Sequence, residues 1–461
     1  MTAAVCGVGD IVAVPTGVGR RALVTAGAVL IVLGLGHVPL PVDGRVLGIS
    51  AGQARMISAG ALGVMPFIWW YLAVEWGLLI VPPWRRLRHG SRAERETVTR
   101  VAWGLGALSS VVQAYGITTY LRGLRLPGVP GAALADGDIF LTGALLVGGA
   151  LVSAALAILV ERRGLGNGWA VLMLAVALEE LVAVWFGFAR REVPGLPLAV
   201  AGQALIVLGV ARWLRRPIEV SPGEVVPRIT LPTCGAVPLS LAAWMLTVSA
   251  TLAGYVPALA PLQEALRPGS LLYQKAFLVV AALLAVVLVA VFSAPSAVAR
   301  SWEQLAGTGL AEAGQVARQE LSRANQRSVL FVVALAVLPI LASEMGIPLA
   351  VSAGGLATVA LAAAVVLDLI ADVHTYSGPT PLAALRPLHR VHAVEPALAA
   401  LRQAGIPATA RSLHVRSIFH FFAPYAPVEL LVPAECAEQA TAVVEPILAD
   451  GATASSGLAA T

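Results

Sequence analysis

Apolar residues fall in blocks of about twenty along most of this chain, and charged residues gather between the blocks rather than within them. A helix rises about 1.5 Å per residue, so ~20 apolar residues cover the ~30 Å hydrocarbon layer of a bilayer. Windows of that length predict ten membrane spans, at 22–40, 59–81, 101–120, 138–160, 168–188, 196–212, 235–255, 271–293, 329–345 and 348–371. After Asp372 the pattern changes. "SGPTPLAAL" interrupts the helix, and "RVHAV", "EPALAALRQAG", "IPATARSLHV", "PVELLVP" and "AECAEQATAVVEPIL" alternate between a period of two and one of three to four. That pattern predicts strand, helix, strand, strand, helix. The expected organisation is a cytoplasmic segment 1–19, an all-α membrane domain 20–375 with halves 20–188 and 196–375, a linker 376–387, a small α+β domain 388–449 and a disordered tail 450–461.

Composition agrees with the spans: 58% of residues are hydrophobic and 12% charged, against roughly 25% charged in a soluble domain. Ten spans put both termini on one side. Eighteen Lys/Arg then lie on the side of the N-terminus, Arg85, Arg86, Arg88, Arg162, Arg163, Arg215 and Arg216 among them, while only eight, Arg45, Arg55, Arg122, Arg125, Arg190, Arg191, Arg267 and Lys275, lie opposite. The excess of arginine on the first side makes it the cytoplasmic one, so the expectation is a multi-pass membrane protein with both termini in the cytoplasm. The first twenty residues lack a basic n-region, which argues against a cleaved signal peptide; Arg20 and Arg21 read as a cytoplasmic anchor. The net charge of +5 follows from arginines flanking spans and calls for no nucleic acid. Cys6, Cys234 and Cys436 are too scattered for a disulfide framework or a cysteine metal site. Nucleotide-binding and zinc-hydrolase patterns are absent from the sequence, so neither an enzyme nor a cofactor is expected, and any energy source belongs to a partner.

Three groups of residues stand out. In "ERRGLGNG" (161–168), charges stay hydrated at the membrane face, Gly164, Gly166 and Gly168 admit positive φ and close helix approach, and Asn167 is placed to cap the fifth span. "GVMP" (63–66) and "GAVP" (235–238) open spans two and seven, matched places in two five-span halves. Because five is odd, such halves have inverted topology, and matched Gly/Pro interruptions point to a pathway between them. Glu75, Glu179 and Glu180 lie inside apolar spans, where acidic groups serve polar contacts or proton coupling unless a water-filled funnel hydrates them. In the small domain, His389 and His392 fall on opposite sides of one strand, so with His414 and His420 they read as surface histidines rather than a metal site. "IFHFFAPY" (418–425) is an aromatic loop suited to docking a partner or the membrane surface.

These motifs carry a family resemblance. "ERRGLGNG" resembles the Glu-Arg-Gly-Ile-Gly-Asn-Gly turn between the fourth and fifth helices of SecY, the pore subunit of the bacterial Sec translocon. "SAGALGVMPFI" (58–68) is similar to its Ala-Leu-Gly-Ile-Met-Pro-Tyr-Ile, "LPTCGAVP" (231–238) to its Asn-x-Ala-Gly-Val-Ile-Pro, and "AGGLATVALAAAVVLD" (353–368) to its Gly-Gly-Thr-Ser-Leu-Leu-Ile run ending in Asp. "RRALVTAGAVLIVLGLGHVPLP" (20–41) resembles its first helix. The resemblance implies a protein-conducting channel with an hourglass pore. By alignment its plug lies in 44–58, including Gly48, Ser50 and Gly52. Its lateral gate involves Pro66, Glu75, Pro238 and Leu239, with Val64, Ile68 and Ser240 beside them. SecE-like and SecG-like small subunits, membrane lipids and an unfolded polypeptide substrate are the implied partners. The small domain resembles ferredoxin-like βαββα domains assigned to signal transduction.

The sequence departs from the family in places. SecY seals its waist with bulky aliphatic side chains, but the aligned positions here are Val64, Ile68, Met173, Ala177, Ser240 and Ala360, half of them small. Closure then falls to the plug or to Phe67, Trp69 and Met173. The cytoplasmic loop at 212–229 is short and poor in basic residues, and "LAGTGLAEAGQVARQE" (305–320) lacks the arginine that couples SecY to its motor, with Glu312 near its place. Engagement of a motor ATPase or ribosome is therefore open, as a divergent paralogue with altered partners would require. Two other classes stay open: a secondary transporter on inverted repeats, favoured by the intramembrane glutamates, and a degenerate scaffold or sensor signalling through the small domain.

Overall fold

The computed structural model describes residues 12–14, 17–42, 57–84, 87, 92–123, 134–190, 209, 217–218, 229–230, 237–254, 257–266, 270–292, 311–344, 353–385, 388, 394–418 and 428–453. They fall into two compact units. One holds 17–191 with 424–426; the other holds 192–423 and 427–461 together with 1–16.

The first unit is built from α1 (Val18–Leu35), α2 (Met65–Ile80), α3 (Arg92–Gly123), α4 (Ile139–Arg163) and α5 (Gly168–Arg190). Helix α4 touches the other four. Its inward stripe is small: Ala150, Ala154 and Ala157 are fully buried, and a Cβ on Gly149 would strike the carbonyl of Ala59. Lipid supplies no hydrophobic drive between helices, so close backbone approach over small residues is what holds such a bundle. Phe140, Leu141, Val152 and Leu159 of the same helix are exposed, as a lipid-facing side should be. Val18–Leu35 and Asp136–Arg163 here, and Leu271–Ala290 in the second unit, are long and apolar enough to cross a membrane, with mean hydropathies of 1.7, 2.4 and 2.3.

The second unit contains α6 (Val237–Gly254), the short α7 (Ala260–Ala265), α8 (Leu271–Phe292), α9 (Ala311–Glu344) and α10 (Ala353–Tyr376). Helix α6 packs on α8 and α10, and α8 packs on α9. Nine of the ten predicted spans thus have a helix where the hydrophobic blocks placed them; the sixth, 196–212, lies outside the described residues except for Gly209. Within the short loop at 212–229, Pro217–Ile218 (β2) pairs antiparallel with Ile229–Thr230 (β3).

The small domain follows α10 almost at once. It comprises β4 (Leu382–Ala384), α11 (Val394–Gln403), β5 (Thr409–Arg411), α12 (Leu413–Ile418), β6 (Glu429–Pro433) and α13 (Ala437–Thr453). The sheet order is β1-β4-β6-β5, all antiparallel, with Val12–Val14 near the N-terminus supplying the edge strand β1. Along β6 the alternation sends Leu430 and Val432 into a core with Val394, Ala397 and Leu401 of α11 and Ala440 and Val444 of α13. Leu431, on the opposite face, is buried too. Three expectations need correction. The stretch 376–387, read as linker, contains β4, because "PLAAL" can pair with β6 despite Pro381 before the strand. "IPATARSLHV" divides into β5 and the helical turn α12, so the order is βαβαβα rather than βαββα. Helix α13 runs past Asp450 into the stretch read as disordered. Of the expected strand "RVHAV", residues 390–393 lie outside the described residues and Val394 opens α11, while Leu388 before it bridges to Val428.

Candidate functional site

The reversal between α4 and α5 is the best-defined site in the first unit. Helix α4 stops at Gly164, whose N–H donates to the Val160 carbonyl at 2.7 Å. Gly166 takes φ +74°, a left-handed conformation that costs an L side chain about 1 kcal/mol or more. Asn167, almost fully buried, then caps α5: its Oδ1 accepts from the Ala170 N–H at 3.0 Å, and its carbonyl accepts from Val171 at 2.9 Å. Gly164 and Gly168 answer to space instead. A Cβ on Gly164 would lie 2.6 Å from Thr25 Oγ1 and 2.8 Å from the Val160 carbonyl oxygen, and one on Gly168 would strike the Ala157 carbonyl. Each of the three glycines and the asparagine has a physical reason to be there.

Helix α1 clasps this turn with two side chains that sequence reasoning did not assign. Arg21 Nη1 donates to the Gly164 carbonyl oxygen at 2.9 Å, and Arg21 is 2% exposed. Thr25 Oγ1 accepts from the Leu165 N–H at 2.8 Å and donates to the Leu165 carbonyl at 3.3 Å. The cation meets the C-terminal end of α4, where carbonyls lack helical partners and the macrodipole is negative. The Arg20-Arg21 pair therefore divides: Arg20 is exposed as an anchor should be, and Arg21 is structural. Only the helical phase of Arg21, set by packing, could have shown this.

The two Gly-x-x-Pro motifs play matched parts. Pro66 is the second residue of α2 and Pro238 the second of α6, positions where the missing N–H costs nothing. Gly63 has φ +50°. Of the aligned waist positions, Val64, Ile68 and Ala360 are buried, Met173 and Ala177 half-buried, and the side chain of Ser240 lies outside the described residues. Leu239 is fully buried. Phe67, read as a neighbour of the waist, packs within the first unit. It is buried there, 4.7 Å between ring centroids from Trp103 and 6.2 Å from Trp169, because Gly106 leaves room for it on α3. Trp69 stays half-buried. The plug positions Gly48, Ser50 and Gly52 lie outside the described residues, as does the side chain of Glu180.

The remaining intramembrane acids differ from each other. Glu75 is fully buried in α2, whereas Glu179 is 27% exposed and faces Nε2 of the exposed His37 at 3.7 Å. Among the small-domain histidines, His414 bonds Asp368 at 2.9 Å; His389, His392 and His420 lie outside the described residues.

Comparison with known proteins agrees with these motifs. The SecY family model matches residues 58–370. Protein translocase subunit SecY of Streptomyces galbus is 26% identical over 193 residues, covering 36% of this chain and 44% of that protein, and the same figures hold for Streptomyces coelicolor. The chain thus spans under half the length of these curated relatives. Two solved structures share the fold, both at 13% identity and covering 79% of this chain and 95% of theirs. One concerns the plug domain of the SecY protein (TM-score 0.51), the other a protein conducting channel (TM-score 0.50). The matched region takes in the clasped turn, both Gly-x-x-Pro helix starts and most of α10, and over that region the chain belongs to the SecY family.

Proposed function

We propose that this chain is the pore subunit of a Sec-type translocon, moving or inserting polypeptides across or into the cytoplasmic membrane without catalysing a reaction itself. The observation that carries this reading is the α4–α5 turn, capped by Asn167 and set within the family match in the order of the other motifs. In this reading ten spans form two inverted halves with both termini cytoplasmic. The segment 44–58 is the plug, Val64, Ile68, Met173, Ala177, Ser240 and Ala360 approach the waist, and Pro66, Glu75, Pro238 and Leu239 belong to the lateral gate. A small single-span subunit like SecE braces the halves, with a SecG-like subunit beside it. The altered loops at 212–229 and 305–320 alter which motor or ribosome binds. Half-exposed Glu179 with His37 is a hydrated pair of the outer funnel, which supports a water-filled path over buried proton coupling.

The test uses inverted membrane vesicles from cells with and without the chain, given a signal-bearing precursor, a motor ATPase and nucleotide. Protease-protected precursor only in vesicles that hold the chain supports the reading. Equal protection in both contradicts it.

A further inference from the structure

We propose that the small C-terminal domain is not a tethered module but a latched extension of α10. In this device Asp368 and Asp372 grip β5 and α12, so that whatever engages the domain acts directly on the tenth predicted span. The proposal stands independently of what crosses the membrane domain.

The latch begins with spacing. Asp368 and Asp372 are four residues apart, hence on one face of α10, and both are 2% exposed, while Ile370 and Val373 point outward at 42% and 39%. Two buried carboxylates at the end of an apolar helix need partners, and the domain supplies them. Asp368 Oδ1 accepts from the His414 N–H at 3.0 Å and meets His414 Nδ1 at 2.9 Å, while Oδ2 accepts from the Val415 N–H at 2.9 Å. These amides open α12, so the helix is capped by a carboxylate from another element. A six-residue helix does not hold itself together in water, and Ser412 just before it sits at φ +61°, a strained conformation outside glycine. Docking on Asp368 is what sustains that turn, and it explains why "IPATARSLHV" is not one strand.

Asp372 makes the second contact. Arg411 Nε donates to Asp372 Oδ2 at 3.4 Å, and Arg411 Nη1 donates to Glu429 Oε2 at 3.3 Å. Arg411 and Glu429 are register partners across β5 and β6, so one buried guanidinium ties α10 to the sheet. Arg416 in α12 and Tyr376 at the end of α10 are buried as well. The connection is also short. Ser377 Oγ donates to the Val373 carbonyl at 2.6 Å to close α10, and β4 starts at Leu382.

Two features make this a latch rather than a weld. The domain's own core, formed by β6, α11 and α13, contains none of these ionisable groups. It can therefore persist when they part. Buried ions also regain hydration on release, so docked and free states differ less in free energy than an apolar interface would make them. The family match ends at residue 370, between the two aspartates. The docking face thus starts on the family helix and finishes on residues beyond the match.

Two measurements on the full chain in lipid nanodiscs test this. Hydrogen exchange compares the wild type with the Asp368→Ala, Asp372→Ala double variant and with Arg411→Gln. Removing one side of a buried ionic contact should speed exchange of the 412–418 peptide by about 100-fold, while peptides covering 394–403 and 428–433 keep their protection. Spin labels at Val373 and Glu438, with the native cysteines replaced by serine, should give a narrow distance distribution in the wild type and a broad one in the variants. The proposal is overturned by a broad wild-type distribution, by variants that stay narrow, or by loss of protection throughout the domain, which would make these contacts part of its folding.

Discussion

Replacing Gly168 with alanine probes the clasped turn at its least forgiving point. The added Cβ would fall on the Ala157 carbonyl, with the carbonyl carbon at 2.7 Å and the Ala157 Cα at 3.1 Å. These are backbone atoms in the middle of α4 and cannot rotate aside, so α5 must lift away from α4. Overpacking of this kind costs about 1–3 kcal/mol. Lifting α5 also strains the Asn167 cap, whose Oδ1 to Ala170 N–H bond spans 3.0 Å; loss of an N-cap costs about 1 kcal/mol. Together the change should destabilise the first unit by roughly 2–4 kcal/mol, a fall in Tm of about 5–15 °C for a unit of this size. The assay is thermal unfolding of the detergent-purified chain, read as the surviving monodisperse peak of a fluorescent fusion. Gly148→Ala is the internal control. It lies in α4 with nothing within 4 Å of its Cβ, and it should gain up to about 1 kcal/mol from helix propensity. If Gly168→Ala melts with Gly148→Ala, the close approach of α4 and α5 does not hold the turn, and the argument fails.

Arg21→Ala should cost about 2–3 kcal/mol by leaving the Gly164 carbonyl without its charged donor, measured in the same unfolding assay, whereas Arg20→Ala on the exposed neighbour should be nearly neutral. Deleting residues 46–56 should open an ion leak in reconstituted bilayers, since three of the aligned waist positions are small. Adding Ala177→Ile, Ser240→Ile and Ala360→Ile to that deletion should reduce the leak by refilling the waist; equal conductance from the two proteins would refute the waist alignment.

What could be read from the sequence followed from interactions local along the chain. Hydrophobic blocks placed α1 to α6 and α8 to α10 because the length of a span is set by the bilayer, not by neighbours. The turn at 161–168 was legible because glycine and asparagine report backbone demands directly, and Gly166 has the positive φ expected. Contacts between distant segments were not legible. Arg21 reads as an anchor until α1 is laid on the turn 143 residues away. Nothing local marks Asp368 and Asp372 as docking groups until β5 and α12 fold back on them. The packing of Phe67 on Gly106 and Trp103 of α3 is another contact between distant segments that its place beside the waist motif does not reveal. The strand pairing of Leu382–Ala384 with both β1 and β6 was hidden for the same reason: two prolines nearby suggest a linker, and its partners lie far along the chain.

Site-specific photocrosslinking to a stalled substrate tests the central claim most directly. A photoreactive residue is placed in turn at Ala177, at Ala360 and at Leu30, which is 69% exposed on α1, and a signal-bearing polypeptide is arrested during translocation by a folded domain at its trailing end. If this chain conducts polypeptides, adducts with the arrested segment form at Ala177 and Ala360 and not at Leu30. Adducts at none of the three positions, with the same precursor still translocated, would show that the polypeptide passes elsewhere and that the channel account is wrong.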